Sequence, residues 1–141
     1  MNTMNDFKYA VICVDDDPYI LQMLGFQLEK FIEKKTTVVE FFTNPLEAID
    51  NIKLLMHEKI EVIFVIVDYQ MPGMNGAEFI RTLKELFPDM KFIMLSGQAS
   101  AIHVDDLVND NMLESFVSKP WDEKELSAIV DDIFKKKNTQ K

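Results

Sequence analysis

The chain has almost no cysteine, too few basic residues to balance its acids, and no long apolar run. Each shortage excludes a class of function. Cys13 is the single cysteine of the 141 residues and lies inside an apolar stretch. No intramolecular disulfide can form, so a reducing cytosol suits the chain better than secretion, and Cys13 reads as a core residue. Fifteen Lys and Arg residues face 24 Asp and Glu, for a net charge of −9. A polyanion would be repelled, which argues against direct nucleic-acid binding. No apolar run approaches the roughly 18 residues of a membrane span, and residues 1–8 lack the basic and apolar segments of a signal peptide. The expectation is a cytoplasmic protein with no membrane insertion. What is present is 48% hydrophobic residues, enough for the core of one domain. That domain is expected to fill residues 1–141, with its core at about 7–136 and short tails. Neither an internal repeat nor a low-complexity tract interrupts it.

Apolar runs and helix-period stripes alternate along the chain. Strands are predicted at 8–14, 37–42, 60–67, 91–95 and 115–117, and helices at 18–34, 45–58, 76–86, 100–109 and 122–136. This is five βα units, the pattern of a parallel sheet. Leu21, Leu24, Leu28, Phe31 and Ile32 give the first helix its apolar face, and Phe79, Leu83, Leu86 and Phe87 the third. Asn44-Pro45, Asn75-Gly76 and Asp122 with Glu125 supply helix starts. The β-branched and Asp/Asn-rich stretch 98–114 predicts only a short, mobile helix. Lys135, Lys136 and Lys137 suit a helix C-terminus.

Polar residues able to handle phosphate follow four of the strands: Asp15-Asp16-Asp17, Asp68, Ser96 and Lys119. Ligands of open parallel sheets bind beyond the carboxyl ends of the strands, so these groups are expected to meet. Clustered carboxylates repel one another and are tolerated when a hard cation such as Mg2+ neutralises them. Taken alone, three aspartates are also what an acidic helix start looks like. Asp68, at the end of the most hydrophobic strand, tips the balance. A carboxylate beside Mg2+ can act as a nucleophile toward phosphorus, with Ser96 and Lys119 as donors to the phosphoryl oxygens. Gly97 allows close backbone approach after the fourth strand.

In these motifs the chain resembles the receiver domain of two-component response regulators. They are Val14-Asp15-Asp16-Asp17-Pro18, the stretch from Val67-Asp68 through Gln70 and Met71-Pro72-Gly73 to Asn75-Gly76, Met94-Leu95-Ser96-Gly97, and Lys119-Pro120. The likeness covers nearly the whole chain. It implies a doubly wound, flavodoxin-like α/β fold whose five parallel strands are ordered 2-1-3-4-5. It also implies Asp68 as phosphoacceptor, with Asp16, Asp68 and the Gln70 backbone carbonyl as Mg2+ ligands and Asp15 as a ligand through water. Ser96 and Lys119 would bind the phosphoryl group, Ser96 and Phe116 would form the switch, and the Lys119-Pro120 bond would be cis. Gln70 and Gln98 would flank the site.

The family implies a phosphorelay switch rather than a turnover enzyme. Its partners would be a sensor histidine kinase or histidine phosphotransfer protein, and a downstream target or second copy. The target or copy would dock on the surface of the fourth helix, fifth strand and fifth helix.

The stretch from Asp16 to Asp68 is several residues longer than usual in the family, and the excess is expected on the surface of the first two helices and the turn before the third strand. Trp121, after Lys119-Pro120, is similar to receivers that precede cyclic-dinucleotide modules, and also reads as a cover for the last helix. Two rivals remain. A haloacid-dehalogenase-like phosphohydrolase would use Asp15 as nucleophile, with Asp17, Ser96 and Lys119 in order, but Tyr19 stands where it needs Thr or Val, and the Asp68 motif goes unexplained. A phosphorylation-independent interaction module would have no use for intact Asp16, Asp68, Ser96 and Lys119.

Overall fold

The computed structural model describes residues 7–97 and 112–139. The predicted helix 100–109 and Gln98 lie outside them. Five strands, β1 (Tyr9–Val14), β2 (Thr37–Phe42), β3 (Glu61–Asp68), β4 (Phe92–Ser96) and β5 (Ser115–Ser118), form one parallel sheet in the order β2-β1-β3-β4-β5. This is the expected flavodoxin-like order. The described helices are α1 (Pro18–Leu28), α2 (Pro45–His57), α3 (Gly76–Leu86) and the C-terminal helix (Glu123–Thr139).

The three inner strands, β1, β3 and β4, are buried on both faces because helices cover both. From β1, Ala10, Ile12 and Val14 point to one side with α2 and α3, where Ile52, Leu55, Phe79 and Leu83 pack. Val11 and Cys13 point to the other, against Leu24 of α1 and Leu126 and Val130 of the C-terminal helix. The β1–β3 register shifts between Ala10 and Val11, so that Val62 and Phe64 face consecutive residues of β1. The extra residue, Ile63, joins Phe64 on the α1 side, and alternation resumes with Val65 and Val67 on the other. Val67 therefore points away from α1, and Asp68 follows it at the sheet's upper edge.

Helix starts follow the side chains that can cap them. Asp17 accepts the Tyr19 N–H with Pro18 at the first helical position, and Asn44 accepts the N–H groups of Leu46 and Glu47 ahead of Pro45. Asn75 and Glu78 form a reciprocal capping box on α3. Asp122 accepts the Lys124 N–H at the last helix.

The first helix is shorter than its apolar spacing predicts. It ends at Leu28 and tightens into a 3-10 turn over Glu29–Phe31, after which Ile32 is extended. The β-branched Ile32 still packs on the α1-side core, but from extended backbone. In α3, Leu86 lies on the solvent side at 49% exposure, and Ile80 takes the core position instead.

Candidate phosphoryl-transfer site

Three carboxylates stand at the carboxyl end of the sheet, and each occupies a different environment. Asp15 directly follows β1 and is wholly buried; Asp68, the last residue of β3, is 4% exposed; Asp16 is exposed. Oxygens of all three come within 4.8 Å of one another. Asp17 does not join them, because its side chain is committed to capping α1.

Lys119, directly after β5, reaches across β4 and β3 to this cluster. Its Nζ lies 2.8 Å from Oδ2 of Asp15 and 3.1 Å from Oδ1 of Asp68. The backbone that carries it is tied to β4 by a 2.8 Å bond from Lys119 N–H to the Ser96 carbonyl. Ser96 is the last residue of β4 and is 3% exposed. The Lys119-Pro120 bond is cis. Gly76 closes the other side, since its N–H donates to the Tyr69 carbonyl at 2.7 Å. A Cβ there would lie 2.7 Å from the Asp68 carbonyl oxygen and 2.9 Å from Tyr69 Cα. Only glycine lets α3 start this close to the end of β3.

The electrostatics show a surplus of negative charge. Burial pushes the Asp68 carboxyl up to about 6, the neighbouring Asp15 charge adds to the rise, and Lys119 opposes it. Asp15 is also raised, chiefly by burial, against the pull of Lys119 and the Asp17 N–H. Burial alone would lower the Lys119 ammonium, but its bonds to Asp15 and Asp68 outweigh this and hold it above its ordinary value. One ammonium against three carboxylates leaves the site net negative. Close-set hard oxygen donors with uncompensated charge fit a small divalent cation.

The remaining predicted residues sit around this centre. Gln70 is exposed, two residues past Asp68. Phe116 of β5 is half-buried against the α2/α3-side core, opposite Met94 in the sheet. Trp121 packs on the α1-side core and donates its indole N–H to Gln27 Oε1 of α1 at 2.8 Å. Sequence reading missed Gln27, and the double engagement of Lys119 by Asp15 and Asp68 was likewise unforeseen. Neither contact leaves a local signal.

The family model described as the response regulator receiver domain matches residues 11–131. The chain belongs to that family. Among curated relatives of this receiver, the heme response regulator HssR of Staphylococcus aureus (strain MRSA252) is 30% identical over 128 residues, which cover 90% of this chain and 52% of HssR. The hydrogenase transcriptional regulatory protein HoxA of Cupriavidus necator is 27% identical over 119 residues, covering 84% of this chain and 22% of HoxA. The receiver thus spans about half or less of these relatives. Its fold matches the receiver domain of an HD domain-containing protein from Pseudomonas fluorescens Pf-5, with TM-score 0.77, 22% identity, and 94% and 91% of the two chains covered. The CheX–CheY–BeF3–Mg2+ complex from Borrelia burgdorferi matches with TM-score 0.75 and 20% identity, covering 95% of both chains. Membership places the receiver in two-component signalling. No helix among its described residues is long and apolar enough to cross a membrane.

Proposed function

We propose that this receiver is a cytoplasmic, Mg2+-dependent phosphoacceptor switch, phosphorylated on Asp68 by a sensor histidine kinase or histidine phosphotransfer protein. The observation that carries the reading is the placement of Asp68. It is a carboxylate at the tip of β3, a strand buried from Val62 onward, beside two further carboxylates and paired with Lys119. A structural relative from B. burgdorferi, CheY, has been captured with Mg2+ and BeF3, which is consistent with such chemistry.

In the reaction, a carboxylate oxygen of Asp68 attacks the phosphorus of a phosphohistidine. The new O–P bond forms as the P–N bond breaks and its electron pair returns to the imidazole. Lys119 meets the charge on one phosphoryl oxygen, and the Ser96 hydroxyl donates to another. A Mg2+ held by Asp16, Asp68 and the Gln70 carbonyl, with Asp15 acting through water, would supply charge neutralisation. The domain is itself the acceptor, so it assists a transfer rather than turning over a substrate. Phosphorylation would draw Ser96 toward the phosphoryl group and let Phe116 move inward. That movement would alter the surface of β5 and the C-terminal helix for a target or a second copy; the fourth helix expected beside them lies outside the described residues.

Asp15 is poorly placed as the nucleophile of a phosphohydrolase. One of its oxygens accepts from Asp17 N–H at 2.9 Å and the other from Lys119, and the side chain has no exposure. A protein donor would approach beside α1, an 11-residue helix without a charged side chain whose outer stripe exposes Tyr19 (78%), Met23 (47%) and Phe26 (79%).

Intact-mass measurement after incubation with Mg2+ and acetyl phosphate tests the assignment. One phosphoryl group on wild type and none on Asp68→Asn is expected. A label that survives Asp68→Asn but is lost in Asp15→Asn would overturn it.

A further inference from the structure

Lys119 is anchored on its strand side by the bond from its N–H to the Ser96 carbonyl. On the other side comes Pro120, which has no N–H with which to hold the chain. The next fixed point is Trp121. Its indole is partly buried on the α1-side core, and its N–H meets Gln27 Oε1 at 2.8 Å. An indole nitrogen only donates, so Gln27 must present its oxygen, and the amide orientation is set by this contact.

These contacts close a circuit. Asp15 Oδ1 accepts from Asp17 N–H, and Asp17 caps α1. α1 carries Gln27, which accepts from Trp121. Trp121 stands two residues past Lys119, whose ammonium returns to Asp15 through Oδ2. One oxygen of this buried carboxylate is therefore connected through α1 to the loop that delivers the ammonium, and the other accepts from that ammonium directly. A second link nearby, from Lys30 of the 3-10 turn after α1 to Glu123 at the start of the C-terminal helix at 3.1 Å, is more than half exposed on both sides and does not touch the circuit.

We infer that Trp121 and Gln27 are positioning residues for phosphoryl transfer: their hydrogen bond fastens the Lys119 loop to α1 and holds the ammonium over Asp15 and Asp68. The inference rests on the phosphoacceptor reading above. Loosening the latch leaves the chemical groups intact but lets Lys119 wander, so the loss falls on capture of a phosphoryl group rather than on folding. Exposed links such as Lys30–Glu123 contribute little either way.

The test compares wild type with Trp121→Phe, Gln27→Met, Gln27→Glu, the Trp121→Phe/Gln27→Met double variant and Lys30→Ala. Each is assayed for the rate of Asp68 labelling by acetyl phosphate with Mg2+, for beryllofluoride affinity, and for thermal midpoint. Trp121→Phe keeps an aromatic ring but removes the donor together with part of the indole's packing on the core. Gln27→Met removes the acceptor from a helix surface, so it still tests the latch if Trp121→Phe folds poorly. Both single variants are expected to lose about threefold to tenfold in labelling rate and beryllofluoride affinity, the worth of one neutral hydrogen bond. The double variant should lose no more than either one. Gln27→Glu retains an acceptor and should stay near wild type, as should Lys30→Ala. Single variants that label and bind at wild-type levels, or losses that multiply in the double variant, would overturn the latch. If wild type takes no phosphoryl group and binds no beryllofluoride, the phosphoacceptor reading has failed instead.

Discussion

Lys119 Nζ lies 2.8 Å from Oδ2 of Asp15, a carboxylate with no solvent exposure, and the two residues are 104 positions apart in sequence. The same ammonium is 3.1 Å from Asp68. Removing it strands two buried carboxylates, the situation in which deleting one partner of a buried pair is costly. Lys119→Met should lower the unfolding free energy by about 3 kcal/mol at pH 7.5 without divalent cation. The loss should shrink toward pH 5, because Asp68, pushed up to about 6, takes up a proton there, and the upward shift of Asp15 works in the same direction. Denaturant titrations of the two proteins at both pH values check this, and an equal loss at each would show that the pair does not carry the effect.

Asp68 itself weakens the fold at neutral pH. Its folded-state value of about 6 lies above the ordinary 3.8, so between these values the folded state binds its proton more tightly than the unfolded state. Stability contributed by this group is present below about pH 4 and is lost as pH rises through about 6. Asp68→Asn should therefore raise the unfolding free energy by about 2 kcal/mol at pH 7.5, with the gain shrinking as pH falls through about 6 and gone only below about 4. Mg2+ should raise the thermal midpoint of wild type more than that of the variant, since a cation bound only to the folded state stabilises it by mass action. Thermal melts with EDTA and with Mg2+ decide both points. A variant no more stable than wild type in EDTA at pH 7.5 would contradict the charge surplus.

These two effects mark where sequence reading reaches its limit. The strand ends were legible because buried strands such as Val62 to Val67 stop abruptly at a polar residue, and alternation of strands and helices sets a parallel sheet. The four polar positions at the strand ends followed from that. The end of α1 was not legible, because Phe31 and Ile32 continue the helical spacing while Ile32 reaches the core from extended backbone. Leu86 kept the spacing too, yet faces solvent. Within the aspartate triplet, Asp17 before Pro18 carries the same helix-start signal as Asn44-Pro45, but nothing local shows that Asp15 is buried while Asp16 is exposed. Lys119 to Asp15 and Trp121 to Gln27 span the whole chain order, and only the assembled sheet brings them together.

Gly76 has an ordinary backbone conformation, so its requirement is one of space. An added Cβ would press on the Asp68 carbonyl oxygen and Tyr69 Cα, both backbone atoms that cannot rotate aside. Gly76→Ala should cost about 1 to 3 kcal/mol in stability, the usual range for overpacking. It should also slow labelling of Asp68 by acetyl phosphate, because the strain is relieved by moving the peptide that carries the acceptor. Unchanged stability together with an unchanged labelling rate would mean that α3 can retreat without disturbing the site.

Substitution of Phe26 would separate the proposed chemistry at Asp68 from the approach of a protein donor. At 79% exposure it contributes little to the core, and substitution at such a position usually changes stability by no more than about 0.5 kcal/mol. It belongs to the uncharged stripe with Tyr19 and Met23 on the helix that begins beside Asp16 and Asp17. A small phosphodonor needs none of this surface, whereas a protein donor must cover it to reach a carboxylate that is only 4% exposed. Phe26→Glu should leave labelling by acetyl phosphate and the thermal midpoint near wild type, while slowing transfer from a phosphorylated histidine protein by tenfold or so, since buried interface aromatics often contribute more than about 1 kcal/mol. Equal slowing with both donors would place the effect in the site itself, and no slowing with either would assign donor docking to another face.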